Sequence, residues 1–310
     1  MTLLFTHPAG AAHDTGRGHP ERAARLHAVL ARLDQPDFKA LIRRAAPTAS
    51  IEALARVHAP AHIERVRAAV PASGYGALDA DTIVSPSSWE AALTAAGAVI
   101  AAVDAVMAGE AKTAFCAVRP PGHHAEPERA MGFCLFNNVA LGAAHALAVH
   151  GLKRVAIVDF DVHHGNGTQV WAWERPEVFF ASTHQSPLYP GTGSADERGA
   201  HGQILNLPLA PGSGGAAFRA AFAGELLPLI AAAAPELVFV SAGFDAHEDD
   251  PLGGLRLQTA DFAWATTALC GAAKAAGGRI VSSLEGGYDL AALAASAAAH
   301  VAALMQSETG

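Results

Sequence analysis

Short runs that are almost wholly apolar recur along this chain, at residues 2–6, 113–118, 154–159, 178–182, 203–207, 237–241 and 279–283. A strand with one wet face alternates polar and apolar side chains, and a strand covered on both faces does not. The pattern therefore asks for a parallel sheet buried between layers of helices. Helical spacing fills the gaps, at residues 20–33, 51–56, 61–69, 88–108, 138–150, 216–234 and 259–276. Strand and helix alternate over the whole length, which predicts one α/β domain. No low-complexity linker and no repeat divides it. We assign residues 1–305 to this domain and 306–310 to a short C-terminal tail.

Composition narrows the function. The chain is 51% hydrophobic, too apolar for a fibrous or long disordered protein. A formal charge of −8 gives no general attraction to nucleic acid or to an anionic membrane. There is no basic patch with interleaved aromatics either, so no nucleic-acid partner is expected. Three cysteines cannot frame a disulfide scaffold. No basic leader with a following apolar stretch opens the sequence. The apolar run 91–108 carries Thr94, Gly97 and Asp104, and the run 226–240 carries Pro228, Pro235 and Glu236. Neither reads as a membrane span, and a cytoplasmic protein is the expectation.

Polar motifs follow directly after several of the apolar runs, where open α/β sheets place their active sites. The richest is Asp159-Phe160-Asp161-Val162-His163-His164-Gly165-Asn166. Alternate side chains share a face as a strand runs out, so Asp159, Asp161 and His163 point the same way. Two carboxylates and an imidazole beside apolar chain are costly unless paired or bound to metal. Asp245, after the run 237–241, joins them. Asp161, His163 and Asp245 make three O and N ligands with an open position, the pattern of catalytic zinc. Iron or cobalt is also allowed, since no thiolate enforces a choice. The plain alternative is a hydrogen-bonded polar strand end. Asp159 then suits the far N–H of a catalytic imidazole.

Arg119-Pro120-Pro121-Gly122-His123-His124 places two histidines after a rigid turn. An imidazole neutral near pH 7 is a natural base for activating water. Asp159 and Asn166 are available as partners. A carboxylate favours imidazolium and an amide leaves the ring less basic, so unlike partners would split the two roles. Leu284-Glu285-Gly286-Gly287-Tyr288 presents a phenol whose O–H can donate to an oxyanion. Together these groups suit hydrolysis of an amide or ester by a metal-activated water.

These motifs resemble the histone deacetylase family and its bacterial relatives, the histone deacetylase-like and acetylpolyamine amidohydrolases. The resemblance runs from His19-Pro20-Glu21-Arg22 to Tyr288 and includes residues 132–138 and 189–193. It implies the arginase–deacetylase fold, a single domain with a central eight-stranded parallel sheet and helices on both faces. It implies one catalytic Zn2+ on Asp161, His163 and Asp245, with His124 as general base and acid. His123, paired with Asp159, would support the charge, and Tyr288 would be the oxyanion donor. It further implies a structural K+ at Asp159, Asp161, His163, Ser182 and Thr183, and a slot walled by Phe133 and Tyr189. Asn166 stands where the family's first class usually carries Asp, which resembles its second class and the bacterial amidohydrolases.

The implied substrate is a small-molecule or peptide acyl-amine, with acyl-lysine preferred and acetylpolyamine as the alternative. Polyamine deacetylases of the eukaryotic kind place Glu where this chain has Leu252, which argues against that specificity. Bacterial acetylpolyamine enzymes use a long rim loop and a dimer interface. Residues 71–86, with Asp79 and Asp81, are a short candidate for such a loop, and a homo-oligomer is left open. A ureohydrolase of arginase type would need more paired carboxylates and histidines for two manganese ions. A non-catalytic binding protein on this scaffold would be expected to lack a ligand or Tyr288, and the sequence has them all.

Overall fold

The structure is a computed structural model, described here for residues 1–274 and 277–307. Its strands are β1 (Thr2–Thr6), β2 (Ile42–Ala45), β3 (Gly76–Ala77), β4 (Ile83–Val84), β5 (Thr113–Cys116), β6 (Val155–Asp159), β7 (Val178–Gln185), β8 (Ile204–Leu209), β9 (Leu237–Ala242) and β10 (Ile280–Leu284). Eight of them form one sheet in the order β2-β1-β5-β10-β9-β6-β7-β8. Every neighbouring pair in it is parallel. This is the expected buried parallel sheet and the arginase–deacetylase topology. Register sets Asp159 at the end of β6 between Ser182 of β7 and Ser241 of β9. The exits of β5, β6, β9 and β10 thus open onto one edge of the sheet.

Two hydrophobic cores fill the space on either face. One packs Val99, Val103, Phe136, Leu141 and Phe239 under the helices Ser88–Met107 and Asn138–Val149. The other packs Leu26, Phe160, Phe244, Phe262 and Val301 under Ala23–Leu33, Thr259–Ala273 and Leu290–Ser307. Ser88–Met107, Gly215–Ala233 and Leu290–Ser307 are long and apolar enough to cross a membrane by length and composition. In Ser88–Met107, 67% of the most apolar stretch is buried, so core packing accounts for that apolarity.

Some elements depart from the sequence expectation. β2 reads Ile-Arg-Arg-Ala and is not an apolar run; it is an edge strand whose Arg43 and Arg44 pair with Asp34 and Glu110. Charged residues on an edge discourage further pairing. The expected helix 216–234 is Gly215–Ala221 and Leu227–Ala233 joined through a π-helical turn, Phe222–Leu226. Pro228 lacks the N–H that an unbroken ladder needs there. Pro8–Ala12, Asn166–Ala172 and Leu290–Ser307 are helices without a sequence expectation. The last includes Gln306 and Ser307, which were expected in the tail; residues 308–310 of that tail lie outside the described residues, as do 275–276 of the expected helix 259–276. Residues 71–86 contain the small antiparallel pair β3–β4.

Candidate active site

The chain beyond β6 is a turn, so strand alternation is not what aligns Asp161 and His163. Local hydrogen bonds do it. The Asp161 N–H donates to Asp159 Oδ1 (3.0 Å) and the His163 N–H donates to Asp161 Oδ1 (2.9 Å). Beyond β9, Asp245 is drawn in by the Val162 N–H, which donates to its Oδ1 (2.8 Å). His163 Nδ1 then lies 3.0 Å from Asp161 Oδ1 and 3.1 Å from Asp245 Oδ2. The three ligand atoms lie within 4.8 Å of one another, and all three residues are buried.

Two glycines make room for this cluster. A Cβ at Gly243 would overlap the Asp161 carboxylate, and one at Gly286 would overlap both carboxylates. The Gly286 N–H meanwhile donates to Asp161 Oδ2 (2.8 Å). Burial, together with the charge of Asp161, pushes the Asp245 carboxyl up to about 7. Burial opposes charge on His163, but its bonds to Asp161 and Asp245 raise it to about 10. Two crowded buried carboxylates that hold a proton between them and an imidazole are a donor set suited to a divalent cation. The residues present fit zinc, with two carboxylates, one Nδ1 and no thiolate.

Beyond β5, the two histidines stack with ring centroids 3.9 Å apart, yet they have opposite environments. His123 Nδ1–H donates to Asp159 Oδ2 (2.9 Å). Burial works against its charge, but Asp161 and Asp159 outweigh it and raise His123 to about 10. His124 Nδ1 faces Asn166 Oδ1 at 2.8 Å. Burial, and then the charges of His123 and His163, hold it well below its ordinary value. The Asn166 Nδ2 donates to Glu126 Oε1 (2.7 Å), which turns the amide oxygen toward His124. His124 therefore carries its proton on Nδ1 and leaves Nε2 free as a base. Glu126 had no role in the sequence reading; its only signal there was its place two residues after the pair.

The Tyr288 backbone N–H donates to Asp250 Oδ2 (2.6 Å), and the same carboxylate accepts from Leu252 N–H through Oδ1 (3.0 Å). Arg25 lies under the ring, its guanidinium carbon 4.8 Å from the centroid, and donates to the carbonyls of Gly287 and Glu285. Glu21 bridges Arg25 and Arg119. Burial opposes the Glu21 charge, but Arg119 and Arg25 hold its carboxyl down to about 2. Burial lifts the Tyr288 phenol well above its ordinary value despite Arg25, so it remains an O–H donor. Glu285 Oε2 accepts from the N–H groups of Gly122 (2.6 Å) and His123 (3.2 Å), tying the loop after β10 to the histidine loop.

A cavity of about 270 Å3 leads to this cluster, walled by Phe133, Tyr189, Leu188 and Leu252 and ending at His124, His163 and Tyr288. Phe133 has φ 69 and follows Gly132 at φ 56, where a Cβ would overlap the His124 ring. The tight turn brings the aromatic wall against the base. Asp81 lines the mouth, whereas Asp79 is taken up by Arg129 at 3.0 Å. Of the residues expected to hold potassium, Asp159 and Ser182 are register partners. Thr183 Oγ1 is buried and finds no hydrogen-bond partner among the described residues.

A buried His/Asp metal cluster at the strand exits of this α/β fold defines a metal-dependent hydrolase of the deacetylase type. The comparisons with known proteins agree. Residues 19–304 match the histone deacetylase domain, and the chain belongs to that family. It is 43% identical over 287 residues to the histone deacetylase-like amidohydrolase of Pseudomonas aeruginosa, covering 91% of this chain and 74% of that protein. To the chloroplastic histone deacetylase 14 of Arabidopsis thaliana it is 39% identical over 324 residues, covering 98% and 76%. The crystal structure of the HDA15 HD domain superposes with a TM-score of 0.93 at 36% identity, covering 99% of this chain and 90% of that one.

Proposed function

We propose that this protein removes acyl groups from acylated lysine side chains by zinc-dependent hydrolysis. The observation that carries the reading is the apolar cavity ending at His124, His163 and Tyr288, with Asp161 and Asp245 clustered on His163. A zinc ion held there supplies Lewis acidity that acidifies water and polarises a carbonyl.

The side chains supply the rest. Phe133 and Tyr189 accept an unbranched chain, each buried methylene contributing about 0.8 kcal/mol. His124 Nε2 takes the proton of the attacking water. His123 stays charged beside Asp159, which disfavours a second resting charge on His124 and keeps that ring a base. The Tyr288 O–H donates to the oxygen that gains charge at the carbonyl carbon. Protonated His124 then returns its proton to the departing amine. Tyr288→Phe keeps the ring and removes this donor. A roughly 10²–10³-fold loss in kcat is expected, with a small change in KM, as for other oxyanion donors. The loss should shrink for a trifluoroacetyl substrate, whose carbonyl needs less help. Equal losses on both substrates would reject the oxyanion role.

Acetylpolyamines are the second reading, favoured by one observation: Asp81 lies in the wall of the mouth, where a distal cation would meet it. Leu252 offers no charge, and Asp79 is occupied by Arg129. The deciding measurement is kcat/KM for an acetyl-lysine peptide against N-acetylputrescine and N-acetylspermidine. The peptide is expected to win; a hundredfold preference for an acetylpolyamine would overturn the lysine reading. We include in the proposal a single catalytic zinc and a structural K+ near Asp159, supported by the Thr183 hydroxyl, which has no partner among the described residues. A cytoplasmic location is also part of it, supported by buried cysteines at 116, 134 and 270 with no disulfide among the described residues.

A further inference from the structure

Outside the catalytic cleft, the packed helices Ser88–Met107 and Asn138–Val149 bring a second set of ligand-type side chains together. Asp104 projects from the first, His145 from the second, and His150 caps the second. Asp104 Oδ1 accepts from Nε2 of His145 and from Nε2 of His150, each at 2.7 Å. The three ligand atoms lie within 4.8 Å of one another. His145 is nearly buried, His150 partly so and Asp104 half exposed, so solvent reaches the cluster. A cleft of about 220 Å3, lined by Arg56, Ile100, Asp104 and His145, opens next to it.

We propose that Asp104, His145 and His150 form a second, peripheral site for a borderline divalent cation of the zinc class. Two imidazoles and one carboxylate with no thiolate suit Zn2+, Ni2+ or Cu2+, and three protein ligands leave a position for solvent. The helix–helix packing already holds His145 and Asp104 on facing surfaces, so binding needs little reordering. The present hydrogen bonds are the metal-free form of the site. Each Nε2 carries the proton it gives to Asp104, and a cation replaces both. As each Nε2 proton leaves to solvent, the ring takes up one at Nδ1 and binds as the Nδ1–H tautomer.

That switch meets one obstacle. Arg56 Nη1 lies 3.1 Å from His145 Nδ1 and can only donate to it. Arg56 therefore holds His145 in the tautomer that cannot bind metal through Nε2, and adds a like charge. Arg56→Gln provides an amide oxygen that accepts from Nδ1–H. It should tighten zinc binding by about tenfold, the lower end for a group that orients a metal-binding histidine.

The test is equilibrium dialysis of the full chain against micromolar free Zn2+ at pH 7.5, with bound metal counted by atomic absorption. Relative to wild type, His150→Ala should lose one equivalent and keep its kcat/KM. Asp245→Ala should retain the equivalent that His150→Ala loses, and combining the two substitutions should remove it. Circular dichroism checks that each variant is folded, and Asp104→Asn replaces His150→Ala where that variant is not. Equal zinc content in wild type and His150→Ala overturns the proposal, as does weaker binding by Arg56→Gln. Unchanged zinc content in Asp245→Ala would bear on the catalytic reading alone, because the comparison of wild type with His150→Ala does not depend on it.

Discussion

Asp245→Ala is expected to abolish hydrolysis and to empty the catalytic metal site. The Asp245 carboxylate provides one of three ligand groups, and no carboxylate besides Asp161 and Asp245 belongs to that cluster among the described residues. The remaining pair, Asp161 and His163, come from one turn and cannot enclose an ion. Without the metal, water stays a very weak acid instead of being acidified to about 7. Loss of the activated nucleophile should therefore lower turnover by more than about 10³-fold. The same change removes the acceptor of the Val162 N–H, so a folding control is needed. Thermal melts provide it: stripping metal with a chelator should lower the Tm of the wild type through loss of the catalytic ion's binding energy. That part of the shift should be missing in Asp245→Ala. A variant that keeps its catalytic zinc and its turnover would remove Asp245 from the ligand set.

His124→Ala is expected to separate metal binding from catalysis. His124 lies beside the ligands, its ring centroid 5.9 Å from that of His163, but is not one of them. The catalytic zinc should stay bound while turnover falls by about 10² to 10⁴-fold, the usual worth of a positioned acid–base group. The fall should be in kcat, because the slot walls Phe133 and Tyr189 remain to bind the chain. His123→Ala removes instead an imidazolium pinned to Asp159, and its effect should be felt through His124, whose pKa should rise once the neighbouring charge has gone. Turnover near the wild-type rate in His124→Ala, on an unactivated acetyl amide, would reassign the base.

The two substitutions test residues that sequence alone had already brought together, and the reason is local. Apolar strands buried on both faces announce themselves, and any polar residue directly after one is conspicuous. What escaped notice lacked that contrast. β2 is short, arginine-bearing and at the edge. Leu290–Ser307 is so rich in alanine that no face stands out, and its burial is decided by the helices it meets. The supporting groups were hidden by distance along the chain. Arg25 and Gly287 are 262 residues apart, and nothing near either predicts the contact. Glu285 sits inside the Leu284–Tyr288 motif, and Glu126 and Asp250 lie two residues from His124 and Leu252, but their tasks depend on which backbone N–H or amide the fold sets opposite them. Residue identity suggested the chemistry of the site, and only the assembled fold supplied its bracing.

The Glu21–Arg25–Arg119 cluster has a consequence for what counts as the smallest working unit. Every group assigned to chemistry lies between His123 and Tyr288, so a search for a minimal fragment would begin near residue 110. Such a fragment would carry a complete set of reactive side chains and still lose the guanidinium that grips the carbonyls of Glu285 and Gly287. It would also strand Arg119, buried and charged, without its carboxylate. The helix Ala23–Leu33 and the residues just before it are as much part of the catalytic apparatus as the last loop, although they contribute no reacting atom.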